Sequence, residues 1–493
     1  MQQIFFNSSL VTVSILAALA VSFCMAGVIH LAQLRSQGYM HIIFYILLLL
    51  LGVGNFLSGR DLTTNSQSFL EPVEAVRHQL LIYAQPLASA LILIIAGERL
   101  MTYGLKRERG SSLLPGLALA FIIFWIGTVA FPAFLGAHPF VSHDYIYPLF
   151  IGVAATLSTS SESDLAIRST RNALLLFMLA GLLLISINPS LVLDSAYNQG
   201  LFPGVPRLAG LAAHAVSLGL LAQLALIFLL VRPYRRVWLN RFAWAIGLAV
   251  LFFAQSKSAW ISFSVCFTCI VVVRNSSSFL RRVGDPLRPE FGMLCGLLFI
   301  GSLLALALLF VFTDLNNKFS SFFESTEGAQ LVSLTGRDQI WAIAFEEWQR
   351  NPLFGYGPTL WDMNFRLSIG MPNATHAHNQ FMDTLSRSGT VGAVALVIYA
   401  VVLLTLSIRY AKVSGGLTLA LFITLAIRSV SEVPLLLFGY GPELITHVLL
   451  LMTLAGLSGV ERQRLSQKIA KVNAYEGIQS TNKSLAGSVR IKP

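Results

Sequence analysis

The amino-acid sequence predicts an all-α fold, a polytopic transmembrane helical bundle of about 12–14 spans with one large, mostly helical extracytoplasmic loop. Three observations carry that prediction. The 493 residues are 55% hydrophobic and only 12% charged, with a mean hydropathy of +0.71. The apolar residues fall in repeated runs long enough to cross the hydrocarbon core of a bilayer. Between two of those runs lies a polar insertion of about 75 residues, where most other connections are short.

The runs read from hydropathy are 8–34, 40–57, 79–96, 113–135, 145–158, 173–193, 208–231, 242–254, 259–273, 291–313, 390–408, 417–430 and 442–459. The first has no basic segment before it and no small-residue cleavage site after it, so it reads as a retained span rather than a signal peptide. A net charge of +11 reports topology, because Lys and Arg gather in the loops near Lys106, Arg171, Arg235, Arg281 and Lys412 and in the C-terminal tail. Short basic loops stay cytoplasmic, which puts those loops inside against anionic lipid and the long insertion outside, with no nucleic-acid groove implied. Residues 1–200 are then N-terminal spans, 201–313 a transmembrane core, 314–389 the large outer loop, 390–460 C-terminal spans and 461–493 a basic cytoplasmic tail. Four cysteines are too few for a disulfide framework. Cys266 and Cys269 form a C-x-x-C inside an apolar run, where packing is the expected role rather than redox or metal chemistry.

Within the outer loop, TGRDQIWAIAFEEWQRNP carries a Thr335 N-cap, Asp338 three residues on, Trp341, Phe345 and Trp348 at helical spacing, and an Asn351-Pro352 stop. It reads as an amphipathic helix lying on the outer leaflet with tryptophans at the interface. LFGYGP follows as a tight turn. Arg337, in the first turn, sets a guanidinium beside unsatisfied backbone N–H groups at the positive helix end, which suits phosphate; the simpler alternative is an arginine snorkelling to headgroups.

Next comes THAHNQFMDTLSRSGTVG, with His376, His378 and Asn379 ahead of a predicted helix from Gln380 to Ser388. An exposed imidazole titrates near neutral pH and suits accepting a proton from a sugar hydroxyl, whereas two solvated loop histidines are the simpler alternative. His-x-His also suits zinc, but no third ligand is apparent nearby, so neither a metal nor another cofactor is expected.

Further ionisable residues, distant in sequence, converge on the same outer face. FPGVPRLAG places Arg207 where an outer loop meets a span, and FFAQSKSAW puts Lys257 in a hairpin too short to leave the membrane interface. LAIRSVSEVP sets Arg428 and Glu432 one helical turn apart, where a mutual i, i+4 ion pair is a simpler reading than a substrate role. Charges cost about 2.5–3.5 kcal/mol each at the bilayer centre and are kept where they have partners or a polar cavity. Arg207 and Lys257 lack an obvious local partner, which makes them the better ligand candidates.

These residues resemble a known family. His378-Asn379, nine residues, Gly389, two residues and Gly392 is similar to the H-N-x9-G-x-x-G pattern of the O-antigen ligase and polymerase superfamily of bacterial membrane glycosyltransferases. TGRDQIW…NPLFGYG resembles the stretch before that motif, and RLAG resembles the family's R-x-x-G; Ser256-Lys257 stands where the family has Ser-Arg, which keeps the charge but loses the bidentate fork. The similarity runs from Arg207 to the last span. The resemblance implies an undecaprenyl-diphosphate-linked glycan donor, a sugar-hydroxyl acceptor, a lipid bilayer around the chain, transfer with inversion, and no metal. It further implies the bacterial inner membrane, a periplasmic large loop and possible contact with other polysaccharide-assembly membrane proteins. In that scheme Arg207, Lys257 and Arg337 stabilise the diphosphate, His378 is the base, His376 its understudy and Asn379 orients the ring or the acceptor. Polymerisation of a surface or exopolysaccharide is the favoured role, with ligation of finished glycan to a lipopolysaccharide core as the alternative. A transporter or lipid-linked glycan flippase is the alternative of another class, disfavoured because the charges gather on one face and no repeat is visible.

Overall fold

A computed structural model describes residues 21–31, 38–63, 78–106, 114–195, 204–283, 337–372, 374–439 and 441–461, with single positions at Leu19, Met293 and Leu297. The start of the first expected span, nearly all of 291–313, the Thr335 N-cap and the tail after 461 lie outside the described residues.

The bundle is all-α. The described helices of six residues or more are α1 (Val21–Leu31), α2 (Ile42–Leu57), α3 (Gln79–Lys106), α4 (Pro115–Leu135), α5 (Ile146–Thr156), α6 (Ser160–Ile187), α7 (Ala215–Val231), α8 (Val237–Ala254), α9 (Lys257–Val283), α10 (Arg337–Arg350), α11 (Met363–Ser368), α12 (Gln380–Ala411), α13 (Leu417–Ser431) and α14 (Glu443–Glu461). Seven of them are long and apolar enough to cross a membrane, and α1, α2, α7 and α13 are shorter apolar helices. Most expected spans coincide with a helix, but α6 begins 13 residues earlier than its apolar run (Ser160 against 173). Thr159 and Glu162 explain this. The Thr159 side chain accepts from the Glu162 N–H, and the Glu162 carboxylate accepts from the Thr159 N–H at 2.7 Å, a reciprocal cap that starts a helix in polar sequence.

Lipid offers no hydrophobic drive between helices, so close packing and polar contacts carry their association. Gln223 of α7 donates to Ser262 Oγ of α9 at 2.6 Å and to Thr424 Oγ1 of α13 at 3.0 Å. Tyr399 of α12 and His447 of α14 share a 2.5 Å hydrogen bond inside the core. Cys266 is buried beside Ala420, consistent with a packing role.

The two ends of the bundle are defined by cross-links. Arg274 donates to Leu230 O and Gly415 O, which puts the C-terminal end of α7 and the N-terminal end of α13 together. The N-terminal end of α7 and the C-terminal end of α13 therefore share the opposite end, about 26 Å away at 1.5 Å per residue. There a two-stranded antiparallel pair, β1 (Leu193–Asp194) and β2 (Arg207–Leu208), sets Asp194 opposite Arg207.

Candidate active site

The histidine loop is clamped from both sides through Ala377. Its N–H donates to Asp383 Oδ1 at 3.0 Å, its carbonyl accepts from Trp341 Nε1 at 2.8 Å, and the residue is fully buried. Asp383 is itself held by Arg387 Nε at 2.9 Å, and Arg387 also donates to Pro358 O and Leu360 O. With both peptide groups of Ala377 fixed, the flanking side chains of His376 and His378 point to the same place. Their ring centroids lie 4.2 Å apart. His378 sits at φ +49°, a left-handed conformation that costs a non-glycine residue about 1–2 kcal/mol. Its N–H donates to His376 Nδ1 at 3.1 Å, which leaves the His376 proton on Nε2.

The third member is Glu432. Its Oε2 lies 3.3 Å from His376 Nε2 and 3.7 Å from His378 Nδ1, the latter within Coulomb range but too long for a hydrogen bond. Burial alone would raise the Glu432 carboxyl; the contact with His378 and the charges of Arg428, His376 and His378 outweigh it and hold it below the usual range. Burial, reinforced by His378, pushes the His376 imidazole down to about 4.

The expected Arg428–Glu432 ion pair does not form. Helix α13 ends at Ser431 and Glu432 is extended (φ −149°, ψ −175°), which breaks the i, i+4 register and turns the carboxylate to the histidines. Arg428, buried, donates to Glu443 Oε1 at 2.7 Å instead. Asn379 caps α12 by accepting from Met382 N at 3.0 Å, and its Nδ2 donates to Val430 O, so the side chain is committed to tying α12 to α13.

Glycines set where this loop sits. Helix α12 is broken at Gly389 (φ +65°), and a Cβ there would collide with the Leu353 carbonyl group. The kink exposes backbone groups on both sides, and the LFGYG turn pairs with them. Tyr356 N and Gly357 N donate to Ser386 O and Arg387 O at 2.8 and 2.9 Å, while Thr390 N and Val391 N donate to Pro352 O and Leu353 O. Helix α10 lies against α12, with Trp348 Nε1 donating to Pro352 O and Thr390 Oγ1. Trp341 and Trp348 therefore anchor protein, which corrects the expectation of a helix laying both indoles on the leaflet; Phe345 is the exposed aromatic of that face.

A second group of charges stands at the same end. Arg207 is buried in β2 and donates from Nε to Ala254 O at 3.3 Å, beside the two-residue α8–α9 hairpin that presents Lys257 exposed at the start of α9. Gln255 of the hairpin reaches Val205 O at 2.9 Å. Gly210 (φ +55°) lets this loop pass close to Gly181 of α6, and Arg60 locks it by donating to Gly210 O and Ala213 O. His214, at the N-cap of α7, links the two groups. Burial and Arg60 lower its pKa, Glu432 and Asp194 act to raise it, and Arg207 lowers it further, so Arg207 and Glu432 act on one imidazole.

Of the expected site residues, His376, His378, Asn379 and Glu432 are brought together, Arg428 stands one turn before Glu432, and Arg207 and Lys257 share the adjoining corner. Arg337 opens α10, partly exposed, and makes no ion pair among the described residues. His138 stacks on Tyr356 at 4.2 Å, and His78 and His143 make local contacts, away from this cluster. His214 and Arg60 were not expected. The only signal for His214 was its place seven residues after Arg207 in PRLAGLAAH. A third metal-type ligand, absent from the local sequence, is present in space: His376, His378 and Glu432 each offer one atom, all within 4.8 Å of one another, a two-histidine, one-carboxylate set.

Residues 242–397 match the family model described as O-antigen ligase. That match, over about a third of the chain, supports membership of the O-antigen ligase superfamily. A comparison with curated proteins finds no match. The matched segment runs from α8 into α12 and holds Lys257, Arg337, His376, His378 and Asn379, whereas Arg207, His214, Arg428 and Glu432 flank it. Together with the seven helices long and apolar enough to cross a membrane, the match supports a multi-pass membrane protein with an O-antigen ligase- or polymerase-like domain, a glycosyltransferase-like enzyme.

Proposed function

We propose that this enzyme moves a glycan from an undecaprenyl diphosphate donor to a sugar hydroxyl at the outer face of the bacterial inner membrane, with inversion and without a metal. In this reading the acceptor oxygen attacks the anomeric carbon, the bond from that carbon to the diphosphate oxygen breaks, and the hydroxyl proton passes to His378. The Glu432 charge, 3.7 Å from His378 Nδ1, favours a proton on that nitrogen by Coulomb attraction, which leaves Nε2 with the free lone pair. Arg207, Lys257 and Arg337 stabilise the departing diphosphate. Asn379 serves the site by fixing the loop rather than by touching substrate, because both ends of its amide are already engaged.

The observation that carries this reading is the His376–His378–Glu432 cluster, clamped through Ala377, in a chain of this superfamily. An apolar groove of about 360 Å³ between α2 and α6 reaches Leu211, the neighbour of Gly210, and suits a polyprenyl chain running up to the Arg207 loop.

The test is glycan transfer in membranes at matched protein levels. His378→Asn keeps a residue that tolerates the left-handed backbone, and transfer should fall about 10²- to 10⁴-fold, the range of general-base catalysis. Undiminished transfer would remove His378 from the mechanism. Dialysis against EDTA should leave the rate unchanged; loss with EDTA and recovery with zinc would turn the same three side chains into metal ligands. We infer polymerisation of a surface or exopolysaccharide as the biological role. The second reading is ligation, the activity that the family's description names. Glycan profiles of cells lacking the protein separate the two: single repeats indicate polymerase loss, and long chains stranded on the carrier indicate ligase loss.

A further inference from the structure

At the end of the bundle opposite Glu432, the start of α6 and the α7–α8 loop enclose a cavity of about 480 Å³. Five arginines line it, Arg168, Arg171, Arg232, Arg235 and Arg236, together with Tyr234. The arrangement is built rather than merely basic. Arg171 is 7% exposed, lies 3.6 Å over the Tyr234 ring and donates to the Arg232 carbonyl. Tyr234 Oη and Arg171 Nη2 both donate to Asn172 Oδ1, at 2.7 and 3.0 Å. Arg168 and Arg232 share one carboxylate, Asp164, at 2.7 and 2.5 Å. Arg235 and Arg236 are exposed and make no ion pair among the described residues.

One carboxylate thus answers five guanidiniums, leaving an excess of planar, forked donors of the kind that grips phosphate oxygens in pairs. The rim indicates where the phosphate comes from. Val237 and Trp238, next along α8, are 64% and 63% exposed, and an exposed tryptophan at a helix end is a membrane-interface anchor. We propose that this cavity binds the phosphate headgroup of an anionic phospholipid. The donor diphosphate of the transfer reaction belongs to the other end of the bundle, so this site is separate from it and does not depend on the functional reading above.

Native mass spectrometry of the purified full-length protein in detergent, offered phosphatidylglycerol or phosphatidylcholine, tests the proposal. The wild type is expected to retain phosphatidylglycerol several-fold better than phosphatidylcholine. Arg235→Gln or Arg236→Gln should bring that preference down, while Arg241→Gln, which removes the same charge from an exposed position on α8 outside the cavity, should leave it intact. Both cavity arginines are exposed, so unchanged thermal midpoints will show that folding is not the cause. Equal retention of the two lipids by the wild type, or an equal loss in Arg241→Gln, overturns the proposal. If inorganic phosphate binds with the same arginine dependence while the lipid does not, the cavity is a free-phosphate site and the lipid assignment falls.

Discussion

His376 illustrates how a single side chain is tuned by its neighbours. Its native pKa is pushed down to about 4 by burial and by His378, against an ordinary value of 6.5. The unfolded chain therefore binds more protons than the native one between pH 6.5 and pH 4, so the contribution is complete above that window and is lost as pH falls through it. The difference corresponds to about 3 kcal/mol. The thermal midpoint in detergent should fall across this window, and His376→Gln should remove most of that slope; an unaltered slope would locate the titration elsewhere. Glu432→Gln probes the partner. It keeps the shape and removes the charge that faces both imidazoles, so transfer should drop and its pH profile should shift, whereas a purely structural role would leave the profile in place. At this scale the sequence announced the participants and mispaired them. His376, His378 and Glu432 were all legible as ionisable residues in a greasy chain, but the partner of Glu432 depended on where α13 stopped, and one extended residue decided it.

Among the elements, the motif's glycines and the preceding turn form one device. Hydrogen bonds from the LFGYG turn and its flanks satisfy the backbone groups that the Gly389 kink releases, and that strap fixes α12 relative to α10. An alanine at 389 would face both a left-handed backbone and the Leu353 carbonyl. Gly389→Ala is therefore expected to cost at least about 1–2 kcal/mol from the backbone term, and more from the collision. A lowered thermal midpoint together with weakened transfer would confirm the strap; a midpoint equal to wild type would mean that the turn has room to give. The spacing of Gly389 and Gly392 was readable, as was a turn at LFGYGP. Their mutual contact was not, because it joins residues 30 to 38 positions apart through main-chain groups that carry no residue identity.

For the whole molecule, hydropathy located most spans because burial in lipid demands length and apolarity, and it misplaced the start of α6, where a capping box outweighs composition. The orientation of the bundle is an expectation from charge alone and is open to direct trial. Lys257 and Arg235 are both exposed and flank α8, an 18-residue helix, so about 27 Å separates them along its axis, close to the thickness of the hydrocarbon core. If basic loops stay inside, Lys257 is periplasmic and Arg235 cytoplasmic. In a background with the four native cysteines changed to serine, Lys257→Cys should react with a membrane-impermeant maleimide on intact spheroplasts, and Arg235→Cys only after permeabilisation. The reverse pattern would put the histidine cluster on the cytoplasmic side, where a glycan presented outside cannot reach it, and labelling of both from one side would mean that α8 does not span.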